Sequence, residues 1–173
     1  MKNIVLTGFM ASGKTVIGTA LAELTGFSFI DTDVLIEMEA GLTANEIFAQ
    51  YGETRFRDLE AGVIRKAGKQ ENAVIATGGG AVLRPENIAV LRENGIVVNL
   101  EPTEETIKAR MDQAAKTRPL MQGQDLEQVL ERFRARKPFY ANCDYQLCVT
   151  NGKSPSDYAK EIVEMLDFPI KIK

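Results

Sequence analysis

Residues 8 to 15 read Gly-Phe-Met-Ala-Ser-Gly-Lys-Thr, which is the pattern G-x-x-x-x-G-K-T. A short apolar run, Ile4-Val5-Leu6, delivers this stretch, and a helical pattern through Val16, Ile17, Ala20, Leu21 and Leu24 follows it. A strand, a glycine-bounded loop and a helix in that order form a phosphate-binding site. The first backbone N–H groups of a helix have no intrahelical partner and carry the positive end of its dipole, so they can wrap an anion. Gly8 and Gly13 let the backbone approach closely, Lys14 adds a mobile positive charge, and the Thr15 hydroxyl suits a magnesium ion. This points to a nucleotide but leaves its partner in the reaction unspecified.

Three further segments could supply that partner's site. Asp31-Thr32-Asp33 ends a second apolar run. Read as extended chain, it sends the two carboxylates to opposite sides, one toward a metal shell and one toward an acceptor hydroxyl. Asp33 could equally cap the helix that begins at Val34. In Phe56-Arg57-Asp58-Leu59-Glu60, Arg57 and Glu60 are three apart on a helix and could simply pair. Gly78-Gly79-Gly80 follows the buried run Ala73-Val74-Ile75-Ala76. Three glycines cost conformational entropy, which is consistent with a close backbone approach, or with a plain turn. From Lys108 to Lys137 there are eight basic residues, Arg110, Arg118, Arg132, Arg134 and Arg136 among them, against four acidic ones. In a chain of net charge −3, this local excess beside a phosphate loop suits anions.

The elements that must position these residues alternate along the whole chain. Strand-like runs fall at 4–6, 27–30, 73–76, 96–100 and 145–149. Helical patterns lie between them. Thr43 and Glu46 have capping-box spacing, and a longer helix through Phe56, Leu59, Val63 and Ile64 should stop near Gly68. Pro85 and Gly95 suit the start and end of the next helix, and Thr103 suits the cap of the one after. Residues 113–124 lose helical periodicity and are expected to form a mobile lid loop. A helix should return from Leu126 to Lys137, and Ser154 with Pro155 should open the last one. Such alternation predicts parallel strands with right-handed crossovers, an α/β fold of three layers in one domain over residues 1–173. Ligands in these sheets bind beyond the C-terminal strand ends, where the three polar segments fall.

Composition removes whole classes of chemistry. The chain has no histidine, so it holds no Ser-His-Asp or Cys-His nucleophile system and no histidine-bound zinc. The negative net charge argues against a nucleic-acid binder held by a basic surface. No apolar run approaches the roughly 20 residues of a membrane span. Cys143 and Cys148 are expected to be free thiols. The phosphate loop begins at residue 8, so a cytoplasmic location and no signal peptide are expected.

Taken together and in order, these segments resemble the shikimate kinase family of the bacterial and plant type, over essentially the whole chain. The matching motifs are the phosphate loop, Asp31-Thr32-Asp33, Phe56-Arg57 with Glu60, the glycine triplet, Arg118-Pro119-Leu120, and Arg136 with Pro138 and Tyr140. The resemblance implies a five-stranded parallel sheet of order 2-3-1-4-5, a substrate-binding region at 33–61 and a lid at 113–124. It implies ATP-dependent phosphorylation of the shikimate 3-hydroxyl, giving 3-phosphoshikimate and ADP on the route to chorismate and aromatic amino acids. Asp33 would hold the acceptor's hydroxyls, Arg57 and Arg136 its carboxylate, and Gly79 and Gly80 would present N–H groups to it. Gly8, Ala11, Ser12, Gly13, Lys14, Thr15 and Val16 would cradle ATP. Thr15 would bind Mg2+ directly and Asp31 through water. Arg118 would close over the phosphates, with Lys14, Asp33 and Arg118 acting in catalysis, and Arg110, Lys153 and Pro155 would lie near the adenine. A monomer with no nucleic-acid or membrane partner is expected. Ala11 stands where the family usually has glycine, and its methyl is expected to crowd the loop slightly. A gluconate- or nucleotide-kinase-like enzyme of the same fold is the alternative.

Overall fold

The computed structural model describes residues 2–117 and 125–168. Five parallel strands form one sheet: β1 (Asn3–Thr7), β2 (Ser28–Asp31), β3 (Ala73–Ala76), β4 (Gly95–Pro102) and β5 (Tyr145–Val149), in the order β2-β3-β1-β4-β5. The helices are α1 (Lys14–Thr25), α2 (Thr32–Ala40), α3 (Ala44–Gly68), α4 (Pro85–Glu93), α5 (Glu104–Thr117), α6 (Leu126–Tyr140) and α7 (Pro155–Met165), with a short 3-10 turn at Ala81–Leu83. The expected strand order is the one observed.

Alternation along β1 builds both faces of the sheet. Val5 packs with Phe9, Ile64, Ile75, Ile88 and Phe133 on one side, whereas Ile4 and Leu6 pack with Ile17, Leu21, Val98, Tyr158 and Ile162 on the other. Each fully buried aliphatic side chain of this kind contributes about 1.5–3 kcal/mol. A smaller cluster, Ile36, Ile47, Phe56 and Val63, joins α2 to α3 and gives that region its own packing.

Register sets the geometry of the site. Leu6 of β1, Asp31 of β2 and Ala76 of β3 lie in line across the sheet. The phosphate loop, the aspartates and the glycine triplet therefore leave the sheet at one level.

Four local expectations need correction. The chain is not extended through Asp31-Thr32-Asp33: β2 ends at Asp31, and helix α2 begins at Thr32. Asp31, not Asp33, is the cap, and its Oδ1 accepts from the N–H groups of Asp33 and Val34. Helix α5 runs through residue 113 to Thr117, so the first five residues of the expected lid are helical. Arg118 and residues 119–124 lie outside the described residues. Gly95 opens β4, while Asn94 closes α4. The capping boxes at Thr43/Glu46 and Ser154/Asp157 are both present. Within α3, Gly52 leaves helical angles (φ 79°, ψ 175°), so two helices meet there at a kink.

Candidate active site

The phosphate loop is held open by its own sequence. Gly13, immediately before α1, has φ 92°, a left-handed conformation that glycine adopts without strain. No side chain caps α1, so its first N–H groups face outward. Lys14 Nζ donates to the carbonyls of Gly8 (2.8 Å) and Phe9 (3.0 Å) and to Ser12 Oγ (3.3 Å). Burial lowers the Lys14 ammonium to about pKa 8, opposed by the negative charges of Asp33 and Asp31. Ser12 is buried, and Val16 is exposed in the first turn of α1. Ala11 is itself in the left-handed region (φ 62°). Its carbonyl accepts from Arg110 Nη1 at 2.5 Å, so a residue of α5 braces the loop. The expected crowding by the Ala11 methyl is thus a matter of backbone strain.

Thr15 Oγ1 donates to Asp31 Oδ2 at 3.0 Å. A hydroxyl and a carboxylate side by side at the start of α1 are hard oxygen donors. Magnesium takes few protein ligands and completes its shell with water and phosphate, so this pair fits it.

A second group of charged side chains is built around the glycine triplet. The Gly78 N–H donates to Thr32 Oγ1 at 3.1 Å, tying the triplet to the start of α2. A Cβ on Gly78 would overlap Asp33 Oδ1 and approach Glu60 Oε1 to 3.0 Å; one on Gly80 would overlap the whole guanidinium of Arg57. Gly79 packs at ordinary distance on the phosphate loop, against Met10 N and Gly8 O. Among the described residues, no protein acceptor meets the N–H of Gly79 or Gly80. The triplet is therefore a floor on which Asp33, Arg57 and the phosphate loop all rest. The close approach expected of it holds at Gly78 and Gly80.

Arg57 does pair with Glu60, Nη1 to Oε2 at 2.8 Å, and its Nε and Nη2 donate to Glu53 at 3.3 Å. Those three bonds leave two of the guanidinium's five N–H groups for an anion. Glu60 is fully buried with Oε1 unpartnered among the described residues. Burial raises its pKa, opposed by Arg57 and reinforced by Asp33. Asp33 is reached by solvent, yet its setting still raises its pKa, first by desolvation and then by the charge of Asp31, with Lys14 and Arg57 opposing. Arg136, on α6, faces the Tyr140 hydroxyl one turn on. That hydroxyl donates to Gly79 O at 2.6 Å, so Arg136 is linked to the same floor.

One cleft of about 320 Å³ is lined by residues that include Ala11, Lys14, Thr15, Asp31, Asp33 and Gly79. A larger hollow over β2, bounded by Phe29, Val34, Leu35 and Ala67 with Asp31, Lys66 and Gln70 also in its lining, is mostly apolar. Arg110 also interacts electrostatically with Tyr158, and Lys153 Nζ lies 5.4 Å over the Tyr158 ring while pairing with Glu161. Two of the three residues expected near the adenine, Arg110 and Lys153, are thus joined through Tyr158, at the start of α7. Sequence reading missed Tyr158, an isolated aromatic in a helix, and gave Tyr140 no role, although its spacing of four from Arg136 puts both on one helical face.

Order β2-β3-β1-β4-β5, a phosphate loop after β1 and charged side chains gathered on the glycine turn after β3 define a P-loop phosphotransferase. A family model described as "Shikimate kinase" matches residues 10–167. A shikimate kinase from Caldicellulosiruptor bescii is 45% identical over 166 residues, covering 95% of each chain. A solved structure, a shikimate kinase from Acinetobacter baumannii in complex with shikimate, superposes with TM-score 0.85 at 37% identity, covering 96% of this chain and 93% of that one. Another, from Bacteroides thetaiotaomicron, gives TM-score 0.88 at 30% identity over 96% and 99% of the two chains. The chain belongs to the shikimate kinase family.

Proposed function

We propose that the chain transfers the γ-phosphoryl group of ATP to the 3-hydroxyl of shikimate, with the loop at 8–15 holding the nucleotide and the triplet floor holding the acceptor. The observation that carries this reading is the convergence on Gly78–Gly80 of Asp33, Arg57, the phosphate loop and, through Tyr140, Arg136. Shikimate is a rigid ring with one carboxylate and three hydroxyls. The two free N–H groups of Arg57, together with Arg136, give its carboxylate paired, charge-assisted hydrogen bonds. A planar fork fixes orientation as well as position, so one hydroxyl is turned toward the nucleotide.

Phosphoryl transfer then needs mainly alignment and charge neutralisation. Lys14 neutralises the outer phosphates. Asp33 accepts from the reacting hydroxyl and orients it. An ordinary aspartate, near pKa 3.9, is far too weak a base to strip an alcohol early, and in a loose transition state the proton leaves late. Thr15 and Asp31 would hold Mg2+, which when bound spreads the negative charge of the phosphates. Arg118 closes over the phosphates from the segment after α5 and excludes water as a competing acceptor. Arg110 and Lys153, linked through Tyr158, flank the base.

The substrate-binding region at 33–61 is supported by the separate core of Ile36, Ile47, Phe56 and Val63. The reading carries with it a cytoplasmic monomer with no nucleic-acid or membrane partner. Among the described residues, no helix is long and apolar enough to cross a membrane. A coupled ADP-release assay tests the function: turnover should require shikimate and should not respond to gluconate or AMP. ADP release driven by either of those instead would overturn the assignment of acceptor.

A further inference from the structure

We infer that the Tyr140 hydroxyl is a positioning group for the acceptor: by clamping the Gly79–Gly80 peptide and facing the Arg136 guanidinium, one O–H sets two of the groups that grip shikimate. This rests on the reading of Gly80 and Arg136 as acceptor-binding residues.

Tyr140 is the last residue of α6 and is 4% exposed. Its Oη donates to Gly79 O at 2.6 Å, a short bond across 61 positions of sequence. A peptide unit is planar and trans, so the Gly79 carbonyl and the Gly80 N–H lie in one plane and point in opposite directions. Fixing the carbonyl fixes the N–H. The need for this is specific to the sequence. A peptide between two glycines has few steric limits on either side and can turn over at little cost. A buried donor on the carbonyl selects one orientation.

The same oxygen retains lone pairs for the Arg136 guanidinium, which sits four residues earlier on the same helical face. The ring cannot swing away. It meets Phe9 of the phosphate loop edge-on, with centroids 6.5 Å apart, and Phe9 in turn packs on Phe133 of α6 at 5.3 Å. Burial pushes the phenol up to about pKa 12, so it remains a donor at any pH at which the enzyme works. The hydroxyl therefore couples the acceptor floor, the second arginine and the phosphate loop, without touching the reacting atoms.

Tyr140→Phe tests this, since it retains the ring and its packing and removes only the oxygen. The expected result is a rise of about tenfold in both KM and Kd for shikimate, the loss of roughly one hydrogen bond's worth of orientation, with kcat and the KM for ATP within about twofold of the parent. Unchanged shikimate KM and Kd would overturn the inference. So would a fall in kcat together with a rise in both KM values and a large drop in Tm, which would mark a general loosening of α6. Arg57→Ala and Arg136→Ala are measured alongside. If both bind shikimate like the parent, the underlying reading of the acceptor site fails. If both lose affinity and Tyr140→Phe does not, only the positioning role of Tyr140 fails.

Discussion

Gly80→Ala separates the acceptor grip from everything else the fold does. The backbone at Gly80 has φ −102° and ψ −1°, which alanine adopts without strain, so the substitution acts through space alone. The new methyl would overlap Nη1, Nη2 and Cζ of Arg57. Arg57 cannot step aside freely, because Glu60 and Glu53 hold it and it lies 5.3 Å over the Phe56 ring. A shift of roughly 1 Å clears the methyl and leaves the Glu60 bond bent but made, since hydrogen bonds tolerate that range of geometry. The two N–H groups proposed to hold the carboxylate lose their alignment. A hydrogen bond to a charged group is worth about 1.5–3 kcal/mol, and each 1.4 kcal/mol is tenfold, so the Kd for shikimate should rise about 10- to 100-fold. Calorimetric titration with shikimate and with ADP reads this directly. ADP affinity should stay within about twofold, and Tm should fall by only a few degrees, at roughly 2–4 °C per kcal/mol for a chain of this size. Gly79→Ala is the control for Arg57, because its methyl would meet Met10 N at 3.5 Å, an ordinary contact far from the guanidinium. Shikimate affinity equal to the parent's in Gly80→Ala would refute the placing of Arg57 as the carboxylate's grip.

Ala11→Gly should raise Tm by about 2–4 °C, because a non-glycine residue in the left-handed region costs about 1–2 kcal/mol, part of which glycine's extra freedom in the unfolded chain offsets; an unchanged or lower Tm would show that the loop carries no strain there. Tyr140 ties alkaline stability to one phenol. Its folded pKa of about 12 lies above the 10.0 of the free group, so its contribution is complete below pH 10 and is lost as pH climbs toward 12. Urea titrations across that window should show the parent losing about 2–3 kcal/mol more than Tyr140→Phe, and parallel losses would remove the linkage. Arg118→Ala should lower kcat about 10²-fold or more with shikimate Kd within about twofold; steady-state kinetics with wild-type kcat would take Arg118 out of the mechanism.

The parts of this site legible in the sequence were those whose chemistry is contiguous. Gly8 to Thr15 carries its loop, its lysine and the hydroxyl proposed for magnesium within eight residues, and the apolar runs beside it declare strand and helix. The central strands β1, β3 and β4 were legible because parallel strands covered on both faces are nearly continuously apolar, whereas the edge strands β2 and β5 keep exposed positions and showed as shorter mixed runs. Where local signals competed, the sequence misled. Asp33 looked extended because it follows the strand-like run to Ile30, yet Asp31, itself still extended, caps α2 with its carboxylate and the chain turns helical at Thr32. Residues 113–117 lost their apolar periodicity, yet Gln113, Ala114 and Ala115 are good helix formers and the helix continues on propensity. Asn94 closes α4 without glycine.

The chain order by itself determined the phosphate loop, the strands and the polar groups proposed to meet the acceptor. Only the tertiary structure decided where those groups point. Arg57, Gly80 and Tyr140 come from α3, the turn after β3 and the end of α6, and their distances are set by how those elements pack against one sheet. A hydrogen bond such as Tyr140 to Gly79 spans residues with no local relation, so no periodicity or spacing encodes it. It exists because burial of α6 against the sheet brings a donor within 2.6 Å of a carbonyl that needs one.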